Sequence, residues 1–458
     1  MFDTIAAVAT PAGTGGVGVI RISGPGAVAT LSSMFRASSG SGDGAFAPRL
    51  MRYGHVVGRD GAVIDEALAV YMPAPHSYTA EDVAEVHCHG GIVVTQAVLR
   101  RALECGARLA EPGEFTRRAF LNGRIDLTRA EAVIDVINSR TDMARRAAVG
   151  RLKGRLFERL DAQRRRLLGL IANIEVSIDY PEHELEADNL NSVADQAGDI
   201  LDEIKRLLGG FEAGSALQNG INAVIAGKPN AGKSSLLNAL LMSDRAITSH
   251  IAGTTRDVLR EHVNLGDIPL NLSDTAGIRR AEDAVERIGV ERAEEEVRRS
   301  DIVLLVLDAS RPLDGDDLHL LAATADKRRV ILLNKSDMPA NIDLRAVTPH
   351  AGPEDIIRIC AINGDGLDEL RARLEGLFLS GCVAQNDELL ISNLRHKILL
   401  ERAADALRDA LAAADAGLGE DFVSQDLQAA HRLLGEIIGE DVSDDIPEAI
   451  FSRFCLGK

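Results

Sequence analysis

The 458-residue chain carries a formal net charge of −18 at pH 7, and 46% of its residues are hydrophobic. At the usual ~150 residues a domain, this length predicts about three domains that each bury a core. The acidic balance argues against a protein that simply coats nucleic acid. Four Tyr and no Trp argue against base recognition by rows of stacked rings.

The cysteines are odd in number and widely spaced, at Cys88, Cys105, Cys360, Cys382 and Cys455. This spacing predicts neither a disulfide framework nor a zinc site. The first residues lack the basic region and long apolar core of a signal peptide, and the apolar run at residues 302–307 is too short to span a bilayer. We therefore expect a cytoplasmic protein with reduced thiols.

Residues 1–120 predict an α+β domain, with β-rich runs at 4–10, 17–22, 67–72 and 83–87 and a helix over 93–104. Within it, residues 13–18 match G-x-G-x-x-G. A strand-like run, Val19-Ile20-Arg21-Ile22, follows the match, whereas a dinucleotide site needs a helix there. We therefore interpret the glycines as a tight loop between strands.

His87-Cys88-His89 places two histidines on one face of a predicted strand. No fourth ligand with zinc spacing lies near them, so we interpret them as loop or core histidines rather than metal ligands.

Residues 121–215 and 380–458 predict helices, beginning at a capping box, Thr128-Arg129-Ala130-Glu131. Residues 140–166 hold ten Arg or Lys against three acids. Both a solvated helix face and a patch for RNA phosphates fit this run. Residues 216–379 instead alternate strand and helix, which predicts an α/β domain inserted into one helical domain.

Residues 227–234, Gly-Lys-Pro-Asn-Ala-Gly-Lys-Ser, follow an apolar strand and open a helix, which is the setting of a phosphate loop. The glycines let backbone N–H groups surround a phosphate, and the helix N-terminus adds its positive end. Lys233 is predicted to reach the β- and γ-phosphates, and the Ser234 hydroxyl to ligate Mg²⁺.

The other parts of a guanine-nucleotide site follow in order. Residues 253–257 offer Thr254 and Thr255 as a switch, residues 274–277 form Asp-Thr-Ala-Gly, and residues 334–337 form Asn-Lys-Ser-Asp. A carboxylate at Asp337 would accept two N–H groups of guanine, which predicts GTP over ATP. Residues 360–362, Cys-Ala-Ile, are the predicted last contact and depart from the usual Ser-Ala-Lys.

Ile278 stands where many small GTPases carry a water-orienting Gln. A polar group must come from elsewhere, and the acids nearby are Glu282, Asp283 and Glu286. Candidate arginine fingers, which could equally form ordinary surface pairs, are Arg256, Arg279 and Arg280.

These motifs, together with Glu286-Arg287-Ile288-Gly289, Pro-Gly-Glu-Phe at 112–115, Ala-Phe-Leu-Asn at 119–122 and Phe-Cys-Leu-Gly-Lys at 454–458, resemble the tRNA-modification GTPase family MnmE, also called TrmE. The resemblance spans the chain. It implies a multidomain fold with an α+β folate-binding-like N-terminal domain, an α-helical bundle domain and an inserted α/β Ras-like G domain. The domains are then residues 1–120, 121–215 with 380–458, and 216–379.

The resemblance also implies site residues. The implied GTP contacts are Asn230, Ala231, Gly232, Lys233, Ser234, Ser235, Ser249, His250, Ile251, Ala252, Gly253, Thr254, Thr255, Asp274, Thr275, Ala276, Gly277, Asn334, Lys335, Asp337, Cys360, Ala361 and Ile362. The implied Mg²⁺ ligands are Ser234 and Thr255, and the implied K⁺ ligands are Asn230, Ser249, Ile251 and Thr254. A formyl- or methylene-tetrahydrofolate would contact Arg21, Glu85, Arg124 and Lys458. Glu286 matches the catalytic glutamate and Cys455 the proposed reactive thiol.

By the same resemblance, the chain forms a homodimer and joins an FAD-dependent partner in a heterotetramer to modify C5 of the wobble uridine of certain tRNAs. Two alternatives stay open on the residues alone. The chain could be a GTP-switched ribosome-assembly factor, or a folate enzyme that acts without RNA.

Overall fold

The computed structural model describes residues 3–38, 46–179, 188–244, 260–274, 295–379, 390–440, 442–443, 445–455 and 457–458. The chain divides into two compact units. The first unit contains Met1–Ile134, Phe157–Asp161 and Leu434–Lys458, and the second contains Asp135–Leu156 and Ala162–Leu433. Over the described ranges, no helix is long and apolar enough to cross a membrane.

The first unit is built on a seven-stranded sheet with the order β3-β4-β5-β6-β2-β1-β7. The β1–β7 pair is parallel, and the other neighbouring strands are antiparallel. The strands are β1 (Ile5–Val8), β2 (Gly15–Ser23), β3 (Phe35–Ala37), β4 (Arg52–Val57), β5 (Val63–Met72), β6 (Val83–Gly90) and β7 (Arg108–Leu109). The strand predicted after the glycine-rich match is present, but it begins at Gly15, so the interpretation of the glycines as a tight loop was wrong for Gly15, Gly16 and Gly18. Gly15 and Gly18 pair with β6, and a Cβ on Gly18 would lie 2.3 Å from the Thr95 side chain, so glycine makes room there within the sheet.

Two helices, α1 (Ala27–Met34) and α2 (Ile92–Glu104), belong to the core of this sheet. Leu31 and Val98 from the helices are fully buried in one cluster with Ile20 and Val86 from the strands. Alternate strand residues share a face, so every second apolar residue reaches this cluster.

A smaller apolar cluster joins distant parts of the sequence within the first unit. It combines Leu127 and Ala130 with Phe451 and Phe454, all buried. The helices that carry or flank these residues are α3 (Glu114–Leu121), α4 (Leu127–Asn138) and α15 (Asp445–Phe451). Residues 434–458 therefore complete a core that begins near the N-terminus.

The second unit contains a six-stranded sheet with the order β13-β12-β11-β8-β10-β9. All neighbouring pairs are parallel except β9 with β10. The strands are β8 (Ile221–Ala226), β9 (Arg260–Leu265), β10 (Ile268–Asp274), β11 (Ile302–Asp308), β12 (Arg329–Asn334) and β13 (Ile356–Arg358).

The central strand β11 is buried along its whole length. Leu304 packs into the core on one face of the sheet, and its neighbour Leu305 packs into the core on the other. A parallel sheet covered on both faces requires such a continuous apolar run. The strand order also reverses direction at β8, and ligands of open α/β sheets bind outside the carboxyl ends of the strands at such a switch point.

A helix that precedes this α/β segment in the sequence contacts one that follows it, since Asp188–Gly209 packs against Leu394–Asp415. The remaining helices are α5 (Asp142–Leu152), α6 (Arg155–Asp179), α7 (Asp188–Gly209), α8 (Phe211–Asn219), α9 (Lys233–Asp244), α10 (Gly315–Ala323), α11 (Leu344–Val347), α12 (Leu367–Phe378), α13 (Leu394–Asp415) and α14 (Glu420–Ile438). The multidomain fold class is confirmed. The domain boundaries given above stay a prediction.

The predicted start of the first bundle helix was wrong. Thr128 lies inside α4, which begins at Leu127, and the carboxylate of Asp126 accepts a hydrogen bond from the backbone N–H of Arg129 at 3.1 Å. Asp126 also accepts the hydroxyl hydrogen of Thr128. An ionised carboxylate is the stronger acceptor for the unpaired N–H groups of a helix start.

Candidate functional site

The phosphate loop joins β8 to α9, which begins at Lys233. Gly227 and Gly232 have φ angles of +150° and +106°, and Asn230 lies in the left-handed region at +65°. A Cβ on Gly232 would lie 1.9 Å from Asn334 Nδ2, and one on Gly227 would lie 2.5 Å from the Val306 carbonyl oxygen. Both positions therefore require glycine for conformation and for space.

Lys233 folds back over this loop. Its Nζ donates hydrogen bonds to the carbonyl oxygens of Gly227 at 2.7 Å and Lys228 at 2.8 Å. Ser234 beside it is exposed. The ammonium group and the N-terminus of α9 thus bring positive charge to one place, where a phosphate group would be stabilised.

Asn334 joins three loops of the site. Its side chain is buried, and Nδ2 donates to the Ala231 carbonyl oxygen at 2.8 Å. Its Oδ1 accepts the backbone N–H of Ala361 at 3.0 Å. The phosphate loop, the Asn-Lys-Ser-Asp loop and the loop at residues 360–362 are therefore fixed to one another.

Lys335 is held by an acid that the sequence analysis missed. Its Nζ donates to Asp308 Oδ2 at 2.6 Å, and its own backbone has a φ angle of +66°. Burial acts to raise the pKa of Asp308, but the hydrogen bonds from Lys335 and Ser310 outweigh it and lower that pKa. Asp308 ends β11 beside β12, so an acid at the end of an apolar strand was the available signal.

Asp337, the predicted guanine contact, lies against the last loop. The buried Cys360 thiol donates a hydrogen bond to Asp337 Oδ1 at 3.4 Å. Ala361 is also buried, whereas the Ile362 side chain is 81% exposed. The structure thus brings Asn334, Lys335, Asp337 and residues 360–362 together, as the motifs predicted.

Lys228 inside the phosphate loop pairs with acids at the start of α10. Its Nζ contacts Asp314 Oδ2 and lies 3.3 Å from Asp316 Oδ2. The Asp314 hydrogen bond raises the pKa of Lys228, and the same bond lowers the pKa of Asp314 to about 2. Asp314 also accepts the backbone N–H groups of Asp316 and Asp317. This pair was not predicted, because the acids lie far away in sequence.

Several predicted residues lie outside the described part of the chain. They are Ser249, His250, Ile251, Ala252, Gly253, Thr254, Thr255, Thr275, Ala276, Gly277 and Glu286. Asp274 ends β10, but its side chain is also outside the description.

A second cluster of predicted residues lies on the first unit. Arg21 on β2 faces Glu85 on β6, and its Nε donates to Glu85 Oε1 at 2.8 Å. The other oxygen of Glu85 accepts a hydrogen bond from His87 Nε2 at 3.3 Å. Desolvation acts to raise the pKa of Glu85, but the His87 hydrogen bond and the Arg21 charge outweigh it and lower that pKa. Glu85 is therefore a charged carboxylate with both oxygens engaged.

Residues 457 and 458 complete this cluster. Arg21 Nη1 donates to the Gly457 carbonyl oxygen at 3.3 Å, and the Phe115 N–H donates to the Lys458 carbonyl oxygen at 3.2 Å. Burial and then the Arg21 charge lower the pKa of Lys458. Three of the four predicted folate contacts thus meet around one carboxylate.

The fourth contact, Arg124, shares an aromatic ring with Arg21. The guanidinium carbons of Arg21 and Arg124 lie 4.9 Å and 5.1 Å from the centre of the Tyr78 ring. The Tyr78 hydroxyl and the Thr116 hydroxyl are 2.9 Å apart. Tyr78 was missed, because a single Tyr in a polar loop gives no pattern. The ring holds two like charges close together through cation–π attraction.

The remaining candidate residues are Cys455 and the two histidines, His87 and His89. The Cys455 side chain is exposed. His89 pairs with Asp65 at 2.8 Å, which raises the pKa of His89. Within the described residues, no group of three or more His, Cys, Asp or Glu could hold a metal ion. His87 donates a hydrogen bond to Glu85, and its interpretation as an ordinary histidine stays a prediction.

The second unit therefore presents a phosphate loop, a guanine-type base loop and their supporting contacts at the carboxyl edge of a parallel sheet. Such an edge defines a guanine-nucleotide-binding domain of the phosphate-loop class.

Comparison with known families extends this assignment to the whole chain. The family described as the GTP-binding protein TrmE N-terminus matches residues 4–124, and the family described as the MnmE helical domain matches residues 127–455.

Curated relatives match over the same length. The tRNA modification GTPase MnmE of Lactobacillus acidophilus is 43% identical over 100% of this chain and 98% of that protein. The corresponding protein of Acetivibrio thermocellus is 44% identical over 100% of this chain and 99% of its own. The chain belongs to the MnmE (TrmE) family and is a GTPase.

A solved structure of an Era variant from Aquifex aeolicus, bound to GDP and AlF4⁻, is 27% identical and covers 41% of this chain and 66% of that one. Its TM-score is 0.27, so this match adds nothing to the assignment.

Proposed function

We propose that the chain is a K⁺-dependent GTPase that works with an FAD-dependent partner on the wobble uridine, position 34, of certain tRNAs. The reaction adds a carboxymethylaminomethyl or aminomethyl group at C5 and takes a one-carbon unit from folate. One observation carries the proposal. In a single chain, Asn334 joins the base loop to the phosphate loop, and a cationic cluster lies around Glu85 on the first unit. The relatives at 43–44% identity are named tRNA modification GTPases.

The phosphate loop supports GTP and Mg²⁺ binding. Ser234 offers an exposed hydroxyl, a hard oxygen donor of the kind that Mg²⁺ prefers, and Thr255 would be its second protein ligand. Mg²⁺ would neutralise charge on the β- and γ-phosphates. Lys233 would exchange its two carbonyl partners for phosphate oxygens, since a charged acceptor forms the stronger hydrogen bond.

For K⁺, the Asn230 side chain is exposed and has no hydrogen-bond partner among the described residues, so its amide oxygen is available. Ser249, Ile251 and Thr254 would complete the site. K⁺ would supply the positive charge that an arginine finger supplies elsewhere. Glu286 would orient the attacking water through a second water, because Ile278 cannot.

The cluster on the first unit suits a folate. Glu85 can accept N–H groups of a pterin ring, and Arg21, Arg124 and Lys458 can donate hydrogen bonds to oxygen atoms of the same ligand. A bound folate would supply the one-carbon unit. Cys455 is exposed and so is accessible as the proposed reactive thiol. The expected assembly is a cytoplasmic homodimer joined to the partner in a heterotetramer.

Mass spectrometry of wobble uridines tests this function. Deleting the gene should remove the C5 modification, and the wild-type gene should restore it while Lys233→Ala should not. Unchanged tRNA after the deletion would contradict the proposal.

The rate of GTP hydrolysis by the purified chain tests the proposed dependence on K⁺. GTP hydrolysis should be much faster in K⁺ than in Na⁺ at equal ionic strength, because the smaller Na⁺ fits the same oxygen ligands poorly. Equal rates would refute K⁺ dependence.

The substitution Glu286→Ala tests the proposed catalytic glutamate. It should abolish GTP turnover and leave GTP affinity unchanged, and a loss of GTP affinity would indicate a structural role instead.

A further inference from the structure

The basic run at residues 140–166 contains cations that face inward and cations that face outward. Arg151 is 3% exposed, and its guanidinium contacts the Asp135 carboxylate at 2.9 Å. Arg164 is also buried, and Arg166 contacts Asp199 at 3.4 Å. These three cations are engaged within the second unit, so a partner must use other cations of the run.

One side of α5 carries three exposed cations. Arg145 and Arg146 lie on the helix, and Lys153 is its C-cap. Val149 lies between them at a spacing of three to four residues, which places all four side chains on one side of the helix. The cations span residues 145–153, about 12 Å along the helix axis. The opposite side of α5 is buried, at Ala144, Ala147, Ala148 and Arg151. We call Arg145, Arg146 and Lys153 the α5 basic face.

The α5 basic face carries more positive charge than the acid beside it can neutralise. Asp142 contacts both Arg145 and Arg146 at 2.6 Å. Its hydrogen bonds, first with Arg145 and then with Arg146, lower the pKa of Asp142, so two guanidinium groups share one negative charge. Lys153 has no ion-pair partner among the described residues.

Arg140, two residues before α5, adds a fourth exposed cation. Its Nη1 donates to His262 Nδ1 at 2.8 Å and to Asn271 Oδ1 at 3.2 Å, and no carboxylate of the described residues contacts it. Residues 140–153 thus expose four cations and one acid, Asp142, on a chain whose net charge is −18. Phosphates are repelled by most of such a chain, and a local excess of cations is where they can bind.

The chemistry of the α5 basic face suits phosphate better than bases or a protein surface. A guanidinium group can donate two parallel hydrogen bonds to one phosphate. Residues 138–153 contain no aromatic side chain on which a base could stack. The core of a protein interface is rich in apolar and aromatic side chains, whereas the centre of this face is the half-buried Val149.

We propose that the α5 basic face binds the phosphate backbone of the tRNA substrate without reading its sequence. The proposal rests on the tRNA part of the proposed function. Each guanidinium of Arg145 and Arg146 would exchange its share of Asp142 for a phosphate, and Lys153 would bind a phosphate further along the helix. The contacts would position the RNA on the second unit and leave the choice of tRNA to other surfaces.

Binding of tRNA to the full chain at several salt concentrations tests the proposal. The triple variant Arg145→Gln, Arg146→Gln, Lys153→Gln is compared with wild type by fluorescence anisotropy. Its affinity should be about 10- to 100-fold lower at 0.1 M salt, because each lost phosphate contact no longer releases a counterion. The slope of log affinity against log salt should fall by about 2–3. A tRNA with a different anticodon should show the same loss.

A matched control removes the same charge elsewhere in the second unit. The triple variant Lys205→Gln, Arg299→Gln, Arg408→Gln changes cations of similar exposure that each pair with an acid of their own helix. Its tRNA affinity should stay within about threefold of wild type. Arg145→Lys with Arg146→Lys keeps the charge and should lose less than about fivefold. GTP affinity should be unchanged in all of these variants, which also shows that they fold.

An unchanged tRNA affinity or salt slope in the first triple variant would overturn the proposal, and so would an equal loss in the matched control. Weaker binding of the FAD-dependent partner with unchanged tRNA affinity would identify a protein-docking face and overturn it too. A wild-type chain that binds no tRNA would also overturn it. The wobble-uridine measurement judges the proposed function separately, since the partner could hold the tRNA.

Discussion

The two sites of this chain are built in opposite ways. The phosphate loop takes its shape from eight consecutive residues between β8 and α9. The cluster on the first unit instead joins Arg21 to Gly457, which are 436 positions apart, and to Glu85 on another strand. A contiguous loop can be recognised from local spacing, because its glycines and its lysine act on one short backbone segment. A dispersed cluster requires the sheet register and the packing of residues 451–458.

Because the two sites are built from different parts of the chain, we expect a substitution that damages one site to leave the other intact. The substitution Arg118→Met is the strongest test. Arg118 is 2% exposed and contacts Asp3 at 2.8 Å, Glu114 at 2.9 Å and Glu81 at 3.2 Å. Replacing it leaves the mostly buried Glu81 without its cation, while Asp3 and Glu114 keep their ion pairs with Arg108, and this should destabilise the first unit by about 3–5 kcal/mol. Urea unfolding with hydrogen exchange at β1 and β2 measures this effect.

The control for that variant is Arg117→Met, which changes a less buried Arg on the same helix and should cost little. GTP affinity should stay at the wild-type value in both variants. A large fall in GTP affinity in Arg118→Met would show that the two sites are not independent.

The substitution Lys233→Ala changes the phosphate loop instead of the first unit. Removing the ammonium should lower GTP affinity by about 10²-fold, because it would lose its contacts with the β- and γ-phosphates. Isothermal titration with GTP measures the loss. A tetrahydrofolate titration of the same variant should match wild type, and weaker folate binding would contradict separate sites.

Glu85→Gln tests the dispersed cluster through pH. Because the folded pKa of Glu85 lies below the ordinary 4.5, its charge stabilises the folded state above that pH. The variant should therefore be less stable by about 1–2 kcal/mol at pH 7. The difference should shrink as pH falls below 4.5 through the lowered folded pKa.

Unfolding free energies at pH 7 and at lower pH values provide the measurement. Glu66→Gln, which changes a more exposed acid of the same unit, is the control and should show a smaller difference. A difference that stays constant with pH would mean that the charge of Glu85 is not what stabilises the cluster.

Asp314→Asn should have the smallest effect. It removes an ion pair with Lys228 at the surface, where solvent screens the charges, so GTP affinity should change by no more than about twofold. A stopped-flow measurement of nucleotide association and release checks this. A tenfold change would mean that this pair controls the conformation of the phosphate loop.

The sequence predicted the sheet of the second unit and its loops well, because a buried parallel strand such as β11 is a continuous apolar run. It also predicted that Asn334 and Asp337 lie in one loop beside residues 360–362, and the structure places them there. It did not predict that Asn334 joins three loops or that Asp308 holds Lys335, since both depend on strand order. The start of α4 was misplaced because Asp126 and Thr128 are both good helix caps, and the carboxylate of Asp126 is the stronger acceptor for the unpaired N–H groups of the helix start.

Only the family resemblance predicted that the residues of the cluster on the first unit belong together. No spacing rule connects residue 21 with residues 85 and 458. No motif indicated Tyr78, and the pair of histidines at 87 and 89 did not indicate that His87 contacts Glu85. Their roles follow from the β2–β6 register and from the chain segment that returns to this unit. A cluster of residues this far apart in the sequence cannot be derived from periodicity.

The return of residues 434–458 to the first unit has a consequence for synthesis. Gly457 has a φ angle of +89°, and a Cβ there would lie 2.3 Å from the carbonyl oxygen of Val8, so this segment fits closely against β1. The ribosome makes β1 first and residue 457 more than 400 residues later. At about 5–20 residues per second, the N-terminal sheet waits some tens of seconds for its last segment. During that interval the apolar side chains of Leu127 and Ala130, which pack against Phe451 and Phe454 in the folded unit, stay uncovered.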